Sequence, residues 1–244
     1  MLLRLHFGLV LLFLWLPLLA MVALSLDSTT LLGRYDALWQ SAALQGAALN
    51  SAIVAAATTL VATLLGTLLA VGLHNRRRAP ILRALSLSPL LVSDVVLAVA
   101  LLSLYTALGL TLGVVSIVLS HVVFTLAFVA ATVRRRLGDF DWRIIEASED
   151  LGAHGLVTFG RITLPLVMPG VLAAALLALA LSLDDFVLAA TTADDTVQTL
   201  PMLAYGLLKS GAQPDVSALG TLLLLATFVL VLAAERLSRP PRDL

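Results

Sequence analysis

The sequence contains no cysteine, which excludes disulfide bridges, cysteine-ligated iron–sulfur clusters and thiol catalysis, and leaves the compartment open. Charge is scarce, at 12% of 244 residues, against about 25% in an ordinary soluble domain. The little charge there is balances, with 15 basic and 15 acidic residues, so nothing in it suggests a nucleic-acid partner. Lysine occurs once, as Lys209, and no Gly-x-x-x-x-Gly-Lys-Ser/Thr run is present; the chain has no phosphate-cradling loop of its own. His6, His74, His121 and His154 are scattered without metal-ligand spacing, and no nucleophile–base set stands out, so neither a metal, a cofactor nor an enzymatic activity is expected. What the chain has in excess is apolar: 60% of its residues are hydrophobic and the mean hydropathy is +1.05. Such a chain cannot wrap its apolar residues in a polar shell, and lipid must solvate much of it.

Charges punctuate the chain and set the spans. The expected fold is all-α and polytopic, one transmembrane domain over 1–244, with six membrane helices at about 5–26, 51–73, 88–108, 112–133, 165–187 and 216–235. Between Arg83 and Arg134 the only charge is Asp94; as one helix that stretch would reach about 75 Å, against a hydrocarbon core of about 30 Å. It must fold back, and Gly109-Leu110-Thr111-Leu112-Gly113 is the expected turn. A cleavable signal peptide is the competing reading of the N-terminus. The apolar run there exceeds the 7–15 residues of a signal core, so the first helix is expected to stay.

With the N-terminus placed in the cytoplasm, the inside collects Arg4, Arg76, Arg77, Arg78, Arg83, Arg134, Arg135, Arg136, Arg143, Arg161, Arg236, Arg239 and Arg242. Only Arg34 and Lys209 remain outside, as the positive-inside rule requires. Both termini are then cytoplasmic. The outside holds Asp27, Asp36, Asp184, Asp185, Asp194, Asp195 and Asp215, and an acidic entrance concentrates cations and repels anions; an ordinary solvated loop surface is the alternative.

One cytoplasmic connection, 134–164, is long enough to hold structure of its own. Helix-forming residues from Glu146 to Leu151 are interrupted by Gly152 and Gly155, which predicts a short helix, a turn and a second short helix. Pro165 suits the first turn of the membrane helix that follows. Apolar side chains on short cytoplasmic helices are costly unless something covers them, which points to a partner protein.

Glu146-Ala147-Ser148, Gly152 after three intervening residues, then Ile162 and Leu164-Pro165 resemble the "EAA" loop of the permease subunits of bacterial type I ABC importers. The departure is Ser148, where that pattern has alanine. The likeness runs from about Leu49-Asn50-Ser51 to the end of the sixth span. Two stretches, Ser88-Pro89-Leu90-Leu91-Val92-Ser93-Asp94 and Leu181-Ser182-Leu183-Asp184-Asp185-Phe186-Val187 with Thr199-Leu200-Pro201 beyond, are similar to the spermidine/putrescine permeases. The resemblance implies a multi-pass protein of the bacterial cytoplasmic (inner) membrane. It also implies three kinds of partner: a cytoplasmic ABC ATPase dimer that hydrolyses the ATP, a second homologous permease, and an extracytoplasmic solute-binding protein. Under it, Glu146, Ala147, Ser148, Gly152, Ile162, Leu164 and Pro165 form the element that couples to the ATPase.

Asp94 is expected inside the third span or near its cytoplasmic half, and Asp184 and Asp185 near the outer end of the fifth. An aspartate at the centre of a membrane helix costs about 2.5–3.5 kcal/mol on insertion scales and normally faces protein or a water-filled cavity. The three are the candidate substrate path, and carboxylates there would replace part of the hydration lost by a small organic cation. The alternatives are an exposed interfacial end for the pair and an interhelical hydrogen bond for Asp94. Tyr105 and Phe186 are candidate contacts for the cation's carbon chain, Asn50 a cap for the second helix, and Gly66 and Gly72 sites of close packing. His121 is expected to make an interhelical hydrogen bond. A permease for iron, thiamine or an anion, and a stand-alone secondary transporter, remain as other readings.

Overall fold

The computed structural model describes residues 2–26, 33–74, 80–138 and 143–238. Asp27, Arg76, Arg77, Arg78, Trp142, Arg239 and Arg242 lie outside them. Among the described residues every regular element is helical. In chain order these are α1 (Leu2–Ser25), α2 (Gly33–Gln40), α3 (Ala42–His74), α4 (Pro80–Leu87), α5 (Asp94–Ala107), α6 (Val114–Gly138), α7 (Arg143–Asp150) and α8 (Gly155–Thr158). Then come α9 (Leu164–Asp184), α10 (Val187–Thr192), α11 (Leu200–Lys209) and α12 (Gln213–Ser238). Five stretches are long and apolar enough to cross a membrane, and the bent pair Ala84–Leu90 and Asp94–Ala107 makes a sixth if taken as one span.

The core is the seam between α3, α6 and α9. Ala62 and Ala70 of α3, Val129, Val133 and Leu137 of α6, and Val167, Val171, Ala174 and Ala178 of α9 are all buried there. Small residues let the helices approach closely, which is how packing holds membrane helices together when lipid is as apolar as leucine. Gly66 shows the limit of that approach, because a Cβ on it would stand 2.7 Å from Val129 Cγ1. Gly72, expected to do the same, has nothing within 4 Å of its Cβ position. On the far side, α12 packs along α9 and α1 along α12, where Trp15 meets Phe228 edge-on at 6.2 Å. Phe7, Leu12, Phe13 and Leu16 of α1 are exposed, as suits a helix whose outer face is solvated by acyl chains.

Three boundaries differ from the sequence expectation. The second span begins at Ala42, not at residue 51, because alanine and leucine carry the helix back through a stretch that has no charge to stop it. Asn50 is therefore inside α3 and caps nothing there; its Nδ2 donates to the Gln198 carbonyl at 3.0 Å. The third span is broken: α4 and a 3₁₀ turn at Ser88–Leu90 meet α5 at an angle of 108°. Pro89 removes a helical donor, and Ser93 is extended at φ −61°, ψ 139°. The fifth helix ends at Asp184, with Asp185 extended at φ −74°, ψ 118°, and the chain resumes as α10. The turn between the third and fourth spans is where it was expected, at Gly109 (φ 65°) and Gly113 (φ 143°).

Candidate functional site

The breaks in the third span and after α9 bring the three candidate carboxylates together. Asp94 stands in the first turn of α5, Asp184 closes α9 and Asp185 follows it. All three line one cavity of about 450 Å³, walled by Phe124 of α6, Leu177 and Leu181 of α9, and Phe228 of α12. None of the residues lining it is basic. A formal charge of three carboxylates against apolar walls is a site that attracts a cation and weakly hydrates its carbon atoms. Asp94 lies at the start of a helix of 14 residues, which at about 21 Å is too short to span a bilayer by itself. The side chain therefore sits past the bend, level with the α9–α10 break.

Asp184 and Asp185 stand at the end of α9, the end of the fifth span where they were expected. Beyond them α10 runs to Thr192, whose carbonyl accepts from the Ser116 hydroxyl (2.7 Å) near the start of α6. Two groups stand against the Asp185 carboxylate. Its Oδ1 accepts the Leu188 backbone N–H at 2.8 Å, and the Nε2 of His121 stands 3.9 Å from the same oxygen. The other ring nitrogen of His121 is hydrogen-bonded to the Ser182 hydroxyl at 2.8 Å, the interhelical bond expected of this histidine.

Tyr105 and Phe186 do not line the cavity. Tyr105 is buried against Leu188 and its hydroxyl meets that of Ser120 at 3.1 Å, while Phe186 stacks on Tyr205 at 4.7 Å. The aromatic walls are Phe124 and Phe228 instead. Their positions in uninterrupted apolar runs carry no mark by which sequence alone could have selected them.

Outside the spans, the Thr196 hydroxyl donates to Asp194 at 2.8 Å and, with the Thr196 and Val197 N–H groups, holds its carboxyl below the usual carboxylate range. This acid stays ionised on an exposed loop. Asn50 and the buried Ser51 serve the segment that leads into α11: the Ser51 hydroxyl accepts the Leu200 N–H at 2.8 Å and so caps α11.

At the other end of α9, the 134–164 connection folds as expected into a helix, a turn and a second helix, after α6 has run on through Arg134, Arg135 and Arg136. Gly152 makes the turn at φ 85°, a conformation that favours glycine. Glu146 and Ala147 are exposed on α7, whereas Ser148 is buried and its hydroxyl meets that of Thr158 at 3.0 Å. Ser148 thus ties α7 to α8. Leu151 and Leu156 stand almost free, 88% and 77% exposed. Pro165 stands in the first turn of α9, as expected. Five residues, Phe159–Thr163, form a π-turn that joins α8 to α9, and the wider turn absorbs the donor that proline lacks. Ile162 and Leu164 are half-buried in that joint and Pro165 is exposed.

Residues 62–240 match the family described as binding-protein-dependent transport system inner membrane component. The chain belongs to that family. It is 37% identical over 207 residues to the spermidine/putrescine transport system permease protein PotC of Escherichia coli (strain K12), covering 84% of this chain and 78% of that protein. To the putrescine transport system permease protein PotI of the same strain it is 36% identical over 229 residues, covering 87% and 82%. In three dimensions it resembles a chain of the bacterial alginate ABC transporter solved with a periplasmic protein bound to an alginate pentasaccharide, with a TM-score of 0.76 at 18% identity over 98% of this chain and 92% of that one. The methionine transporter MetNI, in an inward-facing form, gives a TM-score of 0.63 at 19% identity, covering 82% and 98%. The chain is accordingly a permease subunit of an ABC importer, a multi-pass component of the inner membrane.

Proposed function

We propose that the chain passes a small organic cation of the polyamine class through the inner membrane by alternating access. The observation that carries the reading is the convergence of Asp94, Asp184 and Asp185 on one cavity with apolar walls and no basic residue. A di- or tri-amine matches such a lining, since its ammonium groups meet carboxylates while its methylenes meet Leu177, Leu181 and Phe228. Binding there stays weak enough to release the cargo. The kinship with spermidine/putrescine and putrescine permeases agrees with the charge of the cavity.

In this reading a cytoplasmic ATPase dimer hydrolyses the ATP, a second related permease completes the pore and a solute-binding protein delivers the ligand. Both termini face the cytoplasm, and the domain spans the membrane six times with the bent α4–α5 pair as the third crossing. Glu146 and Ala147, together with the turn at Gly152, meet the ATPase, and Ile162, Leu164 and Pro165 carry the movement into α9. The test is uptake of radiolabelled putrescine and spermidine by the four-component complex in proteoliposomes. Asp94→Asn, Asp184→Asn and Asp185→Asn are each expected to lower uptake about tenfold or more with assembly intact; wild-type uptake by all three removes the cation path. The absence of cysteine makes topology directly measurable, since single cysteines placed at Glu146 and at Asp195 must label with an impermeant maleimide from opposite sides.

A further inference from the structure

We infer that His121 is a positioning residue that competes with the transported cation for one oxygen of Asp185; this rests on the cation path proposed above. His121 is 1% exposed, and its Nε2 is buried without a hydrogen-bond partner. A buried polar atom left unpaired is uncommon in a native structure and calls for a reason. The nearest charged group is Asp185 Oδ1, at 3.9 Å, about one ångström beyond hydrogen-bond range. Nδ1 is taken by Ser182, one turn before Asp185 on α9, so the ring cannot swing away to find another partner. With the Ser182 hydroxyl donating to Nδ1, the single proton of the neutral ring lies on Nε2, the position that a neighbouring carboxylate favours. The donor is therefore fixed on α6, and its acceptor sits on the break between α9 and α10.

That break is the place in the cavity where the backbone leaves the helix, with Asp185 extended and its carboxylate held by the backbone N–H groups of Leu188 and Ala189. A small movement of Asp185 towards α6 completes the hydrogen bond to Nε2–H and draws the carboxylate out of the cavity; a bound ammonium draws it back. Asp94 from α5 and Asp184 from α9 are the other charged groups lining this cavity, and both repel the Asp185 carboxylate when no cation screens them. The histidine thus lets the cargo go: it offers the carboxylate a replacement partner at the moment of release, so that the site does not trap its ligand.

The test uses the permease pair with its ATPase in nanodiscs, radiolabelled putrescine as the probe, and uptake turnover by the complete system in proteoliposomes. His121→Leu keeps the bulk and removes the donor. It is expected to bind putrescine about tenfold more tightly and to turn over about tenfold more slowly, the size of one charge-assisted hydrogen bond. His121→Gln keeps an N–H donor and is expected to recover most of both. Unchanged or weaker binding by His121→Leu overturns the assignment, as does His121→Gln behaving like His121→Leu. Should His121→Leu not assemble, Ser182→Ala frees the ring from its anchor and must tighten binding in the same direction; no change there also overturns it. Asp185→Asn separates the two levels. If it loses putrescine binding while His121→Leu is unchanged, only the role of His121 fails, and if it binds as wild type does, the cation path itself fails.

Discussion

Replacing Leu151 and Leu156 by serine should detach the ATPase while leaving the permease folded. Both leucines flank the Gly152 turn and are 88% and 77% exposed, so neither is part of the core that holds α7 and α8, which depends on Ser148 and Thr158. Full burial of a leucine side chain is worth about 1.5–3 kcal/mol. At the lower figure the pair contributes about 3 kcal/mol to docking, or roughly a hundredfold in Kd. Ile144 and Val157, both exposed as well, extend the same apolar surface and would be spared as a partial contact. The assay is titration of the purified ATPase onto the permease in nanodiscs, read by interferometry, with thermal unfolding of the permease alone as the control for folding. A double variant whose unfolding midpoint is unchanged and whose Kd lies within twofold of wild type would refute the reasoning, since these side chains would then contact nothing in the assembly.

Gly66→Ala places a methyl 2.7 Å from Val129 Cγ1 and 3.1 Å from the Leu126 carbonyl, and should cost about 1–3 kcal/mol as α3 and α6 are forced apart; Gly72→Ala, with nothing within 4 Å, should cost almost nothing, and equal thermal midpoints for the two would contradict the packing. Gly152→Val requires a β-branched residue at φ 85° and should cost about 1–3 kcal/mol of local strain, reducing uptake, whereas Gly152→Asn should retain most of it; the reverse order would count against the turn. Ser51→Ala removes the acceptor of the Leu200 N–H and should loosen the start of α11 by about 1 kcal/mol, seen as faster amide exchange over Met202–Tyr205 with the rest of the chain unaffected.

How much of this was legible in the sequence depends on what each residue had to encode. The helix–turn–helix of the 134–164 connection could be read almost whole, because its chemistry is local: Gly152 stops a helix and Pro165 limits the next one within a few residues of themselves. Even there the π-turn at Phe159–Thr163 was invisible, since it is the response of a continuous helix to a proline and has no composition of its own. The three aspartates were identifiable as misfits in apolar runs, but their meeting was not. It depends on two backbone breaks, one at Pro89–Ser93 and one at Asp185, and a charge-based count of spans smooths over both. Tyr105 illustrates the opposite error. An aromatic near a span end looks like a ligand contact, yet the hydroxyls of Ser116, Ser120 and Thr192 make this corner a polar seam between α6 and α10, and Tyr105 is drawn into it.

The two candidate regions are joined by one element. Helix runs without a chain break from Gly155 to Asp184, 30 residues, or about 45 Å, with the Gly152 turn just before its lower end and the carboxylates at its upper end. The rod packs along α3, α6 and α12, with Gly170 so close to the Arg136 stem that a Cβ would stand 2.8 Å from its Cγ, and these contacts brace it beside Pro169, where a helical donor is missing. Movement imposed at α8 has two places to be absorbed, the π-turn below and the extended Asp185 above. If the π-turn absorbed it, the carboxylates would stay still and ATP would be wasted. A useful stroke therefore needs the lower joint to be the stiffer one, and its half-buried Ile162 and buried Thr163 are the contacts that stiffen it. The upper joint is an extended residue, Asp185, held through its side chain by the Leu188 and Ala189 N–H groups, with a histidine 3.9 Å away. Under the cation path proposed above, that difference in restraint puts the moving end of the rod at the carboxylates.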